Sequence, residues 1–163
     1  SARNIYIHAK NASLAAARLL FFRLRRLGFQ ASLIPSGGSE VLEGIAHAGE
    51  GDLAILFSFS KVSEEGRMIL DYAREAGCST LAFTSRLYAP QEQRADVNLY
   101  VYRGEKEEFH TMSSAVAVID ALVLALSDSM QPKAAEKLMR LQKLKKKYGR
   151  RLYGKEDGKS GQE

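Results

Sequence analysis

The chain has 163 residues, of which 45% are hydrophobic and 26% charged, the composition of one ordinary globular domain with a substantial core. Its net charge of +5 is unevenly distributed along the chain, since residues 131–163 hold 11 Lys and Arg against 4 Asp and Glu and the rest of the chain is slightly acidic. The body of the domain is therefore not a basic nucleic-acid binder. No apolar segment reaches the roughly 18 residues that span a bilayer and no signal peptide is recognisable, so we expect a cytoplasmic protein without a membrane partner.

The first third of the chain predicts two strands and two helices. Residues 4–8 and 29–34 have the apolar clustering of strands. Between them, residues 14–27 predict a helix that Ser13 or Asn11 can cap and that Gly28 ends. Apolar residues cover most of this helix, which favours burial on more than one side and a subunit interface. A loop then leads to a short helix over residues 40–47.

A buried strand followed by a hydroxyl-rich turn is the centre of the pattern. Residues 53–57 are consecutive apolar residues, which suits a strand covered on both faces of a parallel sheet. Ser58, Ser60 and Ser63 follow, and Ser63 is suited to cap a helix that opens with two Glu residues. A strand end, hydroxyls and a helix start together predict an anion cradle, although a plain helix cap explains the serines equally well.

The remaining chain predicts two more strands and two more helices. Residues 79–84 and 96–102 have strand composition, residues 111–129 form a long apolar helical pattern, and a basic amphipathic helix follows Pro132. Strands separated by helices of this length indicate βαβ units, parallel pairing and right-handed crossovers. The predicted fold class is therefore α/β, a three-layer sandwich with a five-stranded parallel sheet.

We expect the chain to divide into three parts. Residues 1–130 form the α/β domain, residues 131–148 form an amphipathic helix that packs on it, and residues 149–163 form a basic disordered tail. The basic run over residues 143–151 could contact nucleic acid, but a solvated helix face or a docking arm is the simpler interpretation.

Three hydroxyl-bearing turns are predicted to meet at one edge of the sheet. They follow the first, third and fourth strands, and the carboxyl ends of parallel strands share one edge, where ligands bind. Many neutral hydroxyls beside an anion cradle suit a polyol phosphate, to which Lys61 could add a positive charge. The hydroxyl residues in these turns are Ser13, then Ser58, Ser60 and Ser63, then Thr84 and Ser85.

Other reactive side chains show no catalytic pattern. His8, His47 and His110 lack metal-ligand spacing with Cys or carboxylates, so we predict no metal, no cofactor and no catalytic residue. Cys78, the single cysteine, has no visible activating partner and is predicted to be inert. The two Glu residues after Ser63 could supply a general base, but complementing the helix dipole explains them with fewer assumptions.

The serine loop and several landmarks carry a family resemblance. Residues 58–63 (Ser-Phe-Ser-Lys-Val-Ser) resemble the Ser-x-Ser-Gly-x-Ser/Thr loop of sugar isomerase (SIS) domains, α/β phosphosugar-binding modules with a five-stranded parallel sheet. The order of further landmarks is similar to the SIS domains of RpiR-family transcriptional regulators: 27–29 (Leu-Gly-Phe), 51–52 (Gly-Asp), 95–97 (Ala-Asp-Val) and 112–122. The resemblance covers roughly residues 3–148 and implies the SIS fold.

The resemblance also implies a ligand and partners. In the RpiR family an N-terminal helix-turn-helix domain binds DNA and the SIS domain senses a sugar phosphate; that DNA-binding domain would be absent from this chain. Family members form dimers, so a homodimer or tetramer is implied. The resemblance implies ligand contacts at Ser13, Ser58, Ser60 and Ser63, and at Ser113 or Ser114 of a partner subunit. Asn11, Lys61 and Thr84 lie in the same predicted turns and are added as candidate ligand contacts.

Two turns depart from the family pattern. The first turn usually reads Gly-x-Gly-x-Ser, whereas residues 9–13 are Ala-Lys-Asn-Ala-Ser, and Lys61 replaces the usual Gly of the serine loop. Because glycine enters φ > 0 without steric cost, these changes predict a backbone that approaches a phosphate less easily. Lys61 could instead occupy the phosphate position itself.

The leading hypothesis is a non-catalytic effector domain that senses a phosphorylated sugar for an RpiR-like transcriptional regulator. One alternative is a stand-alone ketose/aldose isomerase of sugar phosphates, for which Glu43, Glu64 and His110 are the available acid–base residues. A second alternative is a degenerate SIS fold that is kept for dimerisation.

Overall fold

A computed structural model describes residues 2–105 and 107–153 of the chain, in which strands and helices alternate. The strands are β1 (Asn4–Ala9), β2 (Gln30–Leu33), β3 (Leu53–Phe57), β4 (Ser79–Thr84) and β5 (Val97–Tyr100). The helices are α1 (Ser13–Arg26), α2 (Glu40–Ile45), α3 (Glu64–Glu75), α4 (Ser113–Ser129) and α5 (Lys133–Tyr153), with a short 3₁₀ turn at Gln91–Gln93.

The five strands form one parallel sheet in the order β2-β1-β3-β4-β5, which confirms the predicted fold class. The chain leaves β1 toward β2 on one side and later returns to place β3 on the other side. The connections after β1 and β3 therefore diverge, and a crevice opens between their carboxyl ends. Such a switch point is where open parallel sheets bind ligands.

Alternating side chains of the central strands fill two cores, one on each face of the sheet. On one face, Ile7 and Phe57 pack with α1 and α4 in a core that includes the fully buried Ile119. On the other face, Leu56 packs with α2 and α3 in a core that includes Ile69. This two-sided burial explains why β3 is apolar throughout.

Two aspartates secure the strand starts. Asp52 is 5% exposed, and its carboxylate accepts hydrogen bonds from the backbone N–H and side-chain amide of Asn4, each 3.0 Å, and from the N–H of Gly49 at 3.2 Å. Asp96 accepts from the N–H of Thr80 at 2.7 Å and from its hydroxyl at 2.8 Å. These acids belong to the Gly-Asp and Ala-Asp-Val landmarks, so those landmarks have a structural basis.

The α3 cap is as predicted, whereas the α1 cap is not. The hydroxyl of Ser63 accepts a 3.2 Å hydrogen bond from the N–H of Gly66. At α1 the N-cap is Ala12, with no side-chain cap, so the expected capping by Ser13 or Asn11 is wrong. Ser13 is already the first helical residue, because the turn before it is closed by backbone bonds such as that from the Ser13 N–H to the Lys10 carbonyl at 3.1 Å.

Helix α5 runs further than predicted. It continues to Tyr153, so the predicted boundary after residue 148 is wrong; residues 154–163 of the predicted tail lie outside the described part. An exposed helix tolerates Gly149 at a cost of about 1 kcal/mol, and its neighbours are mostly good helix formers. Ala134 is fully buried near the start of α5, whereas Leu144 is 48% exposed.

In the described chain no single helix is long and apolar enough to cross a membrane. Helices α4 and α5 meet that criterion by length and composition only when taken together, across a bend of 105°.

Candidate functional site

A cavity of about 540 Å³ opens at the carboxyl ends of β1 and β3, at the switch point of the sheet. The turn before α1 forms one wall, and the loop between β3 and α3 forms the other. The residues predicted from the sequence that line this cavity are Asn11, Ser13, Ser58, Ser60, Lys61 and Ser63. The sequence thus predicted both loops that build it.

Two other predicted contacts do not line this cavity. Thr84 lies in a separate, smaller cleft that Ser58 also lines. Its hydroxyl accepts a 3.1 Å hydrogen bond from the N–H of Arg86. Ser113 is exposed at the start of α4, where its hydroxyl accepts a 3.0 Å hydrogen bond from Thr111. Within one chain, therefore, neither Thr84 nor Ser113 lines the cavity of the serine loop.

The serine loop is fixed to the neighbouring strand by its backbone. The N–H of Ser58 donates to the carbonyl of Phe83 at 2.9 Å, and the carbonyl of Phe59 accepts from the N–H of Ser85 at 2.8 Å. Ser58 is 9% exposed, whereas Ser60 and Lys61 are exposed at the loop tip. The loop therefore presents a hydroxyl and an ammonium group on a fixed backbone next to the α3 N-terminus, an arrangement that favours anions.

A column of aromatic rings supports the loop from below. Phe83, which is fully buried, stacks on Phe57 with ring centres 4.4 Å apart, and Phe57 contacts the edge of Phe59 at 6.0 Å. The guanidinium of Arg103 then lies over the Phe59 ring, 4.4 Å from its centre. Such contacts fix ring positions, so Arg103 reaches the cavity on a rigid support.

The turn after β1 keeps a conformation that glycine usually supplies. Asn11 has φ = 51°, within the left-handed region that Asn enters more readily than most residues. This turn therefore has a positive φ at a position where the family pattern has glycine, while the less easy approach to a phosphate stays a prediction. Lys61, in contrast, has no positive φ, so the serine loop adopts an ordinary backbone conformation at that position.

An ion pair joins the two walls of the cavity. Lys10, in the turn after β1, contacts Glu65 in the first turn of α3 at 2.7 Å. This hydrogen bond holds the pKa of Glu65 at about 2, with help from its own backbone N–H and the Ser63 hydroxyl. Glu65 is therefore ionised at neutral pH and is a poor general base. The sequence separates these residues by 55 positions, and no local pattern links them.

His8 is a buried polar residue in the cavity wall. It is 2% exposed, and neither ring nitrogen has a hydrogen-bond partner in the described chain. Burial is the main cause that lowers the pKa of His8. The Glu65 carboxylate opposes this shift in pKa, and Lys10 adds to it. The Pro35 carbonyl lies near the ring without hydrogen-bond geometry. The ring is therefore neutral at pH 7. Strand alternation from Tyr6, which faces the α3 side, could have indicated its position.

The acid–base candidates for an isomerase are mostly elsewhere. Glu64 lines the cavity but pairs with Arg67 at 3.1 Å, while Glu43 and His110 are not among the lining residues. Cys78 is buried, which raises its pKa. In the described residues, no group of three His, Cys, Asp or Glu side chains has the arrangement of a metal site.

Comparison with known families gives a match over most of the chain. The model described as "SIS domain" matches residues 1–125. No curated protein sequence matches the chain.

Solved structures with the same fold include regulators and a protein with an inferred enzymatic role. The sugar isomerase domain of an RpiR transcription factor from Sphaerobacter thermophilus has a TM-score of 0.78 and 22% identity, over 87% of this chain and 79% of that one. Vibrio vulnificus NanR in complex with ManNAc-6P has a TM-score of 0.77 and 20% identity, over 94% of this chain but 58% of NanR. A Methanococcus jannaschii protein, for which 3-hexulose-6-phosphate isomerase function was inferred, has a TM-score of 0.66 and 18% identity, over 85% and 76%.

Proposed function

This chain belongs to the SIS domain family, and from that premise we propose that it is a non-catalytic effector domain that binds a phosphorylated sugar. The ligand occupies the cavity between β1 and β3, with its phosphate at the serine loop and the start of α3. The domain acts in the cytoplasm as part of an RpiR-like transcriptional regulator, and it passes the binding energy to a helix-turn-helix domain outside this chain.

One observation carries the proposal: six of the eight side chains predicted from the sequence as ligand contacts line a single cavity. Hydroxyls from two walls face that cavity, and the capped N-terminus of α3 adds a favourable field for an anion. A sugar phosphate requires this combination of neutral hydrogen-bonding groups and an anion site.

The coupling to DNA binding needs two states of the assembly. We propose a homodimer, or a tetramer built from it, in which the ligand shifts the relative positions of the subunits. A ligand can do so only by binding one arrangement more tightly than the other. The exposed apolar side chains Phe22 and Leu124, at 52% and 69% exposure on α1 and α4, are available for such an interface.

Isothermal titration calorimetry tests the binding. The purified chain is titrated with glucose 6-phosphate, N-acetylmannosamine 6-phosphate and arabinose 5-phosphate, and with the unphosphorylated sugars. We expect saturable heat from at least one phosphosugar and about tenfold weaker affinity for Ser60→Ala, because a hydrogen bond to a charged group is lost.

Ser32→Ala is the matched control, since Ser32 is exposed on β2 and does not line the cavity. An unchanged affinity in Ser60→Ala would show that the ligand does not bind at the serine loop. Heat from none of the phosphosugars would favour the alternative of a SIS fold kept for dimerisation.

His8 keeps the isomerase alternative open as a second candidate. A neutral imidazole in the cavity wall has the protonation state that a general base needs at pH 7. Incubation with ribulose 5-phosphate or fructose 6-phosphate, followed by NMR, tests this function. Aldose phosphate formed by the wild-type chain and lost in His8→Phe would establish an enzyme, whereas binding without turnover supports the sensor.

A further inference from the structure

We propose that Arg103 and Lys61 form a two-cation clamp that makes the cavity select dianionic phosphomonoesters over monoanionic or neutral sugar derivatives. The inference rests on the proposed function and adds to it the charge of the ligand and a residue, Arg103, that no sequence motif indicates.

The cavity is lined by more cationic than anionic side chains. Its lining includes four cationic and two anionic side chains in addition to the neutral His8. Both acids are paired, Glu65 with Lys10 at 2.7 Å and Glu64 with Arg67 at 3.1 Å. No carboxylate within residues 2–105 and 107–153 lies within 4.0 Å of a side-chain nitrogen of the two remaining cations, Lys61 and Arg103. The cavity therefore has two positive charges without a protein counter-ion in the described chain.

Arg103 is held in position for a ligand. Its guanidinium lies over Phe59, the residue between two serines of the loop, and its Nε donates a 3.1 Å hydrogen bond to the carbonyl of Thr111. Neither terminal amino group has a protein partner in the part of the chain that the structure describes. A guanidinium fixed in this way offers a planar pair of donors that matches two phosphate oxygens.

Leaving these two charges without a partner costs free energy where they are partly removed from water. Arg103 is half-buried, and removal from water lowers its pKa, so the cation has lost part of its hydration. A phosphomonoester carries a charge of about −1.5 to −2 at pH 7, which matches two cations. A sulfate monoester has almost the same shape but a single negative charge, so it leaves half of the clamp uncompensated.

Isothermal titration calorimetry at pH 7.5 with glucose 6-phosphate, glucose 6-sulfate and inorganic phosphate tests the clamp. We expect the wild-type chain to bind the phosphate ester at least tenfold more tightly than the sulfate ester. Arg103→Gln should weaken binding of glucose 6-phosphate and of inorganic phosphate by about 10- to 100-fold, and it should reduce the preference for phosphate over sulfate to a few-fold.

Two further variants keep the test sharp. Lys61→Met removes the other cation from an exposed loop position, so it should preserve folding and still reduce the preference for phosphate. Arg18→Gln makes the same charge change as Arg103→Gln at an exposed position of α1 outside the cavity, and it should leave both affinities within twofold. Thermal unfolding of each variant shows whether the fold is retained.

The outcomes separate this inference from the proposed function. Equal wild-type affinity for the two esters would overturn the clamp and leave phosphosugar binding intact. An equal loss of affinity for both esters in Arg103→Gln and Lys61→Met would also overturn it, because the two cations would then not read ligand charge. No binding of any of the three probes, inorganic phosphate included, would overturn the clamp, whereas the proposed function is overturned only if none of the three phosphosugars titrated above binds.

Discussion

Asn11 offers a direct test of the backbone that forms one wall of the cavity. Its φ of 51° lies in the left-handed region, and its side chain is exposed, so packing contributes little to the effect of a substitution. We compare two replacements, Asn11→Gly and Asn11→Ala. In most positions outside glycine-specific turns, alanine is the more stabilising of the two. At this position the order should be reversed.

The magnitude follows from the steric cost of the left-handed conformation. A residue with Cβ pays about 1–2 kcal/mol there, and Asn pays less than Ala because its short polar side chain is tolerated. Asn11→Ala should therefore lower the free energy of unfolding by about 1 kcal/mol. Asn11→Gly relieves the remaining strain but gives the unfolded chain more freedom, worth about 0.4–1 kcal/mol, so its stability should stay within about 0.5 kcal/mol of the wild type.

Urea unfolding followed by circular dichroism measures both differences, and thermal unfolding should show a Tm about 2–4 °C lower for Asn11→Ala. The same variant should weaken phosphosugar binding, because the turn that precedes Ser13 has to move. Equal stability of the two variants, or a more stable alanine variant, would refute the argument that positive φ at Asn11 shapes this wall.

Two further predictions concern buried polar groups. Asp52→Ala should lower the free energy of unfolding by about 3 kcal/mol or more, since three N–H donors lose a charged acceptor. Urea unfolding should show a change below about 1 kcal/mol for the exposed control Asp71→Ala. Similar losses for the two variants would contradict the stabilising role of the Asp52 hydrogen bonds. Because burial lowers the pKa of His8 in the folded state, wild-type stability should be fully present above about pH 6.5 and fall as the pH drops, by at most about 1.4 kcal/mol per pH unit. His8→Phe should flatten this decline between pH 7 and pH 5, whereas His47→Gln should not. Parallel curves of unfolding free energy against pH for the wild type and both variants would contradict the role of His8.

Local patterns in the sequence were sufficient for the architecture. The unbroken apolar run of β3 required burial on both faces, and strands alternating with helices required parallel pairing. Ser63 before two Glu residues predicted the start of α3. The structure shows the capping hydrogen bond, which the Ser63 hydroxyl accepts from the N–H of Gly66. The serine loop could also be placed at the edge of the sheet where ligands bind. These features depend on residues within a few positions of one another, so periodicity and capping chemistry reveal them.

Local sequence patterns did not indicate where α5 ends or which conformation the turn after β1 adopts. The end of α5 was missed because Gly149 looks like a stop signal, yet the surrounding Lys and Arg residues sustain the helix to Tyr153. In the first turn, Asn11 takes the left-handed conformation that glycine usually supplies there. The residue types alone do not show whether a helix ends at a glycine or whether an asparagine adopts positive φ.

The sequence by itself determined the fold class, the two loops that form the cavity and the chemistry of their hydroxyls. The tertiary structure decided which distant side chains join them: Lys10 paired with Glu65, His8 in the wall, and Arg103 over Phe59. It also excluded Thr84 and Ser113 from the cavity within one chain. The physical reason is that sheet order and the aromatic column bring these groups together across many tens of residues, and no periodic pattern encodes such a meeting.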